Sequence, residues 1–309
     1  MKLAAFDVGT NTVLMLAVDA AGDRAPRVLA DLSRITRLGR GVDSRGALDP
    51  QSAAHTLATI IEFARAARAL GVSRLVGVAT AALRDARDGG TFVAEVRERA
   101  GIALEVISGD AEAQLALLAV QRGLNIEPHA RLLIVDIGGG STELIAVQPG
   151  RELSIRSLQI GSVRLTERLV KCDPPAQSEL AAMARTIDAT LDGLGWRFTP
   201  DRLIGIAGTV TTICAVTIGL ASYDHRVVHG RELSRAEVGA ALSRFTSMPL
   251  NDRKKLAGLH EARADVIIAG TMILDRVMNR FGANRVTVSD QGVRWGLVWR
   301  ELPGVATGC

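Results

Sequence analysis

The chain has 309 residues, 48% hydrophobic and 23% charged, which excludes disorder as the main state and gives length for about two domains. Lys and Arg number 37 against 33 Asp and Glu, a net charge of +4 with basic residues scattered along the chain; this suits an anionic ligand and lacks the concentrated basic surface of a nucleic-acid binder. Aromatics at 3% exclude a base-stacking surface, and Cys172, Cys214 and Cys309 show neither metal spacing nor an even-numbered framework, which fits a reduced cytoplasm.

The first elements are apolar runs. Residues 3–18, LAAFDVGTNTVLMLAV, read as a β-hairpin with its tight turn at Asp7–Thr12. Asp7 also breaks the apolar opening too early for a signal peptide. A third strand follows near 27–37. Asp49 caps a helix with Pro50 at its first position and an Ala-rich stripe running to Leu70. RLVGVA at 74–79 reads as a buried strand, and 103–122 as a strand leading into a helix.

The second half repeats this order. Residues 132–147, LLIVDIGGGSTELIAV, form a hairpin, 152–160 a strand, Ser178 to Leu194 a helix, and RLIGIA at 202–207 a buried strand. The uncharged stretch Leu203 to Tyr223 is long enough to span a membrane, but it holds three glycines and four threonines and is better read as that strand followed by a helix over 209–220. Residues 221–283 read as a helical insertion, with a capping box at Ser234–Glu237 and helical periodicity from Glu261 to Phe281. Residues 285–301 give a last strand and helix.

The hairpins match without gaps at an offset of 129: Leu3 meets Leu132, Asp7 meets Asp136, Gly9 meets Gly138 and Thr12 meets Ser141. RLVGVA and RLIGIA match at 128. Two matches at nearly one offset indicate a duplicated α/β domain, 1–123 and 124–309, with a cleft between the halves; the last helix can pack back on the first domain. Both turns pair an Asp with glycines and hydroxyls. Consecutive amides and hydroxyls make an anion nest, and the Asp holds a divalent cation that neutralises phosphate. The phosphate-binding candidates are Gly9, Thr10, Asn11 and Thr12 in the first turn and Gly138, Gly139, Gly140, Ser141 and Thr142 in the second. Gly208 and Thr209, opening the helix after RLIGIA, form a third nest. The Arg84 guanidinium can fork onto phosphate oxygens.

These duplicated Asp-x-Gly-Thr/Gly turns resemble the phosphate motifs of the actin-like ATPase superfamily, which implies two ribonuclease H-like domains. Within it the chain resembles the exopolyphosphatase/guanosine pentaphosphate phosphatase family. The matching segments are DVGTNT (7–12), ATAALRDA (79–86), ISGDAEA (107–113), DIGGGSTE (136–143), LQIGSVRLTE (158–167), AGTVTT (207–212), VVHGREL (227–233), EARADVIIAG (261–270) and VSDQGVRWGL (288–297), in family order. The resemblance implies that Glu112 is the base that activates the attacking water, with Asp110 a weaker candidate. It makes Asp136 and Glu143 ligands of Mg2+ or Mn2+, with Glu143 also orienting water, and it gives Asp7 a water-mediated contact to the metal.

The implied activity is a metal-dependent exopolyphosphatase releasing terminal phosphate from inorganic polyphosphate. Alternatives are hydrolysis of guanosine pentaphosphate to tetraphosphate, an ATP-using kinase, and a non-catalytic polyphosphate or alarmone sensor. Arg84, Arg87, His229, Arg263 and Arg294 are expected to track the polymer. A cytoplasmic enzyme is expected, able to form a homodimer, with no nucleic-acid or membrane partner. Many family members have GSNSxRL at the first turn; here Thr12, Val13 and Leu14 keep a hydroxyl and lose the arginine. The chain stops at Cys309 without the C-terminal helical domains of longer relatives, so a preference for short chains and distributive cleavage are expected.

Overall fold

One strand buried on both faces shows how the first half is layered. In β1 (Lys2–Val8), Ala4, Phe6 and Val8 enter one apolar cluster while Leu3 and Ala5 enter another, so the strand is covered on both faces. The computed structural model describes residues 1–20, 26–124, 126–127 and 129–302; Cys309 lies outside them. The chain divides into two compact units, Met1–Ala119 with the chain from Gly292 onward, and Val120–Gln291. The final helix, Val293–Glu301, thus belongs with the first unit.

In the first unit β1 pairs antiparallel with β2 (Thr12–Asp19), from Lys2↔Asp19 to Val8↔Val13, and β2 with β3 (Arg27–Ile35). β4 (Arg74–Ala79) and β5 (Leu104–Val106) continue the sheet in parallel, giving the order β3-β2-β1-β4-β5 among the described residues. The helix Pro50–Ala69 starts where the sequence says: the Asp49 carboxylate accepts from Ser52 N at 2.9 Å. Its buried stripe, Leu57, Ile60, Phe63, Ala64 and Ala67, covers the Phe6 face. The other face lies under Leu115 and Ala119 of the helix Gly109–Gly123 and under Val293, Trp295, Leu297 and Val298 of the last helix. Those two helices approach closely: a Cβ at Gly296 would run into the Leu115 backbone.

The second unit repeats the order. β6 (Leu132–Ile137), β7 (Thr142–Val147), β8 (Ser154–Leu158), β9 (Arg202–Ile206), β10 (Glu232–Ser234) and β11 (Arg285–Val288) form the sheet β10-β11-β9-β6-β7-β8. Without β10 this is the first sheet again, element for element. β10 comes from the insertion and pairs antiparallel with β11, so the insertion is not wholly helical. Its helix Arg235–Thr246 carries the expected capping box, with Ser234 and Glu237 satisfying each other's backbone N–H. The helix expected from Glu261 begins instead at Ile267 and runs to Arg280; Glu261–Arg263 form a separate 3-10 turn, in which the His260 ring accepts from Ala262 N. The apolar residues that bury the long helix start only at Ile267. The uncharged stretch from Leu203 divides into β9 and the helix Ala207–Thr217. Among the described residues no helix is long and apolar enough to cross a membrane.

Candidate active site

In the second unit β6 and β9 run parallel in register, with Asp136 beside Ile206, so the segments leaving their C-terminal ends are neighbours. One is the hairpin tip 138–141. The other is the start of the helix Ala207–Thr217, where Thr209 Oγ1 donates to Ile137 O at 3.3 Å.

The tip is held by its carbonyls. Gly138 O accepts from Ser162 N at 2.9 Å, Gly139 O from Val163 N at 2.9 Å and Arg164 N at 3.1 Å, and Gly140 O from Arg164 Nε at 2.7 Å. In a trans peptide N–H points opposite to C=O. Three successive carbonyls turned onto the helix Ser162–Leu169 therefore turn the amides of Gly139, Gly140 and Ser141 the other way, as an anion nest. Gly161 makes the contact possible, because a Cβ there would run into Gly139 O.

Ala207 opens the neighbouring helix at φ +67°, in the left-handed region that costs a non-glycine residue about 1–3 kcal/mol. The turn lets the chain leave β9 and enter the helix within one residue, so the unsatisfied first-turn amides stand at the strand end. The Arg263 guanidinium lies against Gly208, where a Cβ would collide with it, and its Nη1 is 3.5 Å from Thr212 Oγ1. Burial lowers the Arg263 pKa, while Tyr223 and Asp290 oppose that shift. A cation at the positive end of a helix dipole is stabilised by an anion that both can bind.

Asp136 stands opposite Glu143 across β6 and β7, and Glu143 opposite Ser157 across β7 and β8. Directly opposed residues share a face of the sheet, so two carboxylates and a hydroxyl form one row. Asp136 and Glu143 are buried, and Ser157 Oγ donates to Glu143 Oε1 at 2.7 Å. Hard oxygen donors in this arrangement fit Mg2+ or Mn2+. No group of three or more His, Cys, Asp or Glu able to hold a metal occurs among the described residues, so water and phosphate oxygens would complete the shell, as is usual for Mg2+.

The first unit has the same frame with different chemistry. Gly9 N donates to Thr12 O at 3.0 Å, as Gly138 N does to Ser141 O. Thr10 O accepts from Gly39 N, and Asn11 O from Thr36 N and Arg37 N. The equivalent row is Asp7, Leu14 and Ser33, so Leu14 stands across from Asp7 where the second unit has a carboxylate. Burial pushes the Asp7 carboxyl up to about 6, against the pull of Arg294.

Glu112 and Arg84 come together in this unit. Ser108 Oγ accepts from Ala111 N at 3.2 Å and caps the start of the helix Gly109–Gly123, where the dipole favours a carboxylate. Glu112 is buried there while Asp110 is exposed, which separates the two acids. Arg84, in the short helix Ala81–Asp85, donates through Nη1 to Ile107 O at 2.9 Å and lies 3.9 Å from Glu112 Oε2.

Several of the expected residues make contacts within the protein. Thr142 is fully buried and gives its hydroxyl to Ile160 O at 2.6 Å, which braces the tip. The amides of Gly9 and Gly138 close their turns and lie outside the nests. Arg294 donates through Nε and Nη2 to the Asp31 carboxylate, at 3.1 and 3.0 Å. His229 is structural: Nδ1 accepts from Asp290 N at 3.2 Å, which leaves Nε2–H to donate to Gly123 O at 3.0 Å. Arg87 reaches Arg45 O at 3.3 Å. Ser157, Arg164 and the turn at Ala207 were missed, since nothing in the spacing brings them to the site; Arg164 lies within a matched segment but was given no role of its own.

Residues 17–304 match the profile of the Ppx/GppA phosphatase family. Exopolyphosphatase 2 of Mycobacterium tuberculosis is 32% identical over 312 residues, 96% of this chain and 97% of that protein, and Exopolyphosphatase 1 of Mycobacterium tuberculosis is 30% identical over all of this chain and 90% of its own. Among solved structures, an exopolyphosphatase from Cytophaga hutchinsonii superposes with a TM-score of 0.91 at 27% identity over the whole of both chains. The Aquifex aeolicus Ppx/GppA family member superposes at 0.80 and 30% identity over 96% of both. The two sheets thus belong to the duplicated ribonuclease H-like, actin-like ATPase fold.

Proposed function

The chain belongs to the Ppx/GppA phosphatase family and is a hydrolase, and on that premise we propose that it is a metal-dependent exopolyphosphatase. The observation that carries the reading is the buried row Asp136–Glu143 beside the amides of Gly139–Ser141. The relatives named exopolyphosphatases, covered nearly end to end, support the substrate. Phosphoryl transfer needs positioning and charge neutralisation more than covalent chemistry. The nest amides and the Ala207–Thr217 helix start would bind the phosphate oxygens, with Arg263 adding a cation. Asp136 and Glu143 would hold Mg2+ or Mn2+, which when bound neutralises charge on the phosphate. Glu112 would take the proton of the attacking water, with Arg84 keeping its carboxylate oriented. Short chains are the preferred substrates in this reading, because Leu14 leaves the first turn without a cation.

The test is phosphate release from short polyphosphate, long polyphosphate, guanosine pentaphosphate and ATP, with and without Mg2+ or Mn2+. Metal-dependent release from short polyphosphate above the others is expected. Preferential turnover of guanosine pentaphosphate would move the assignment to the alarmone. No turnover of any substrate would leave a binding protein.

A further inference from the structure

The third member of the row, Ser157, has no role in the chemistry described so far. It lies on β8, the edge strand of its sheet, and is half-buried, while Glu143 beside it on β7 is fully buried. Its hydroxyl donates to Glu143 Oε1 at 2.7 Å, a charge-assisted hydrogen bond. On its other side Glu143 faces Asp136, and like charges directly opposed across strands repel, the more so when buried.

We propose that Ser157 is a positioning residue of the cation seat: by binding one oxygen of Glu143 it fixes the plane of that carboxylate, so that Asp136 and Glu143 meet a divalent cation already oriented. This rests on the metal reading of Asp136 and Glu143. A hydroxyl donor suits the task, because it stabilises the ionised carboxylate without adding a cation that would compete with the metal. The first unit supplies an internal comparison. Its corresponding row ends in Ser33, but Leu14 stands where Glu143 would be and Ser33 is exposed. The same serine without its carboxylate has nothing to orient.

The test uses the full chain and Mn2+ alone, without substrate, with affinity read by calorimetry or by electron paramagnetic resonance of the free ion. Ser157→Ala is expected to weaken Mn2+ binding roughly tenfold or more, the usual effect of removing a partner that orients a metal ligand. Ser157→Thr, which keeps the hydroxyl, is expected to restore it. Melting temperatures of the three proteins in chelator should coincide. Wild-type affinity in Ser157→Ala would overturn the proposal and leave the metal reading standing. Equal losses in Ala and Thr with lowered melting temperatures would assign Ser157 to strand packing and also overturn it. No Mn2+ binding by the wild-type protein would remove the metal reading itself, and the proposal with it.

Discussion

Arg84 Nη1 lies 3.9 Å from Glu112 Oε2 while donating to the Ile107 carbonyl, so one guanidinium bridges the end of the β5 segment and the carboxylate one turn into the next helix. A carboxylate beside a guanidinium that is itself anchored to the backbone is held in a fixed direction, which is what a general base requires. Glu112→Gln preserves shape and should lower kcat by roughly 10²–10⁴ with unchanged thermal unfolding. Asp110→Asn, on the exposed neighbour, should leave kcat close to wild type. Phosphate-release kinetics on both variants check the assignment, and the reverse ranking would transfer the role to Asp110.

Gly161→Ala probes the nest. Its Cβ would meet Gly139 O, a backbone atom that cannot swing away, so the tip must shift or the helix Ser162–Leu169 must retreat. A stability loss of about 1–3 kcal/mol is expected, together with a fall in activity larger than that loss explains at the assay temperature. Chemical denaturation and steady-state kinetics separate the two effects.

Gly208→Ala sets a methyl against the Arg263 guanidinium, the end of a flexible side chain. The fold should tolerate it, with a melting temperature near wild type. The displaced cation should raise KM for polyphosphate roughly tenfold to a hundredfold, the scale of one hydrogen bond to a charged group. An unchanged KM would mean that Arg263 makes no contact with substrate.

Asp7 gives a pH prediction with a definite sign. Its pKa is raised by burial from 3.8 to about 6, so between those values the folded chain holds a proton that the unfolded chain has released. Stability from this group is present at pH 4 and is lost as pH rises toward 6, by at most about 3 kcal/mol. In metal-free buffer, Asp7→Asn should therefore melt with the wild type near pH 4 and above it at pH 7. Parallel melting curves at every pH would show that Asp7 is ionised throughout.

Local chemistry was legible in the sequence, and register was not. Apolar runs broken by an Asp and a Gly/hydroxyl turn gave both hairpins, and Asp49–Pro50 and Ser234–Glu237 gave helix starts, because caps and turns act within a few residues. Glu112, Asp136 and Glu143 stood out as motif residues. Ser157 reaches Glu143 only through the β7–β8 register, and the Arg294–Asp31 pair spans most of the chain, so spacing left that arginine looking free for substrate. β10, three residues long, has too short a pattern to announce a strand. The left-handed backbone at Ala207 is set by the strand-to-helix turn and not by residue type, since alanine ordinarily avoids it.

The mismatch between Glu143 and Leu14 bears on direction. Inorganic polyphosphate reads the same from either end and offers an enzyme no head or tail, so a sense of travel along it must be supplied by the protein. A perfectly mirrored pair of halves could not supply one. Here one residue in a repeated row, acidic at 143 and aliphatic at 14, makes the chemistry of the two rows unequal. For the proposed substrate either end will serve, and the inequality leaves the carboxylate pair in one half alone.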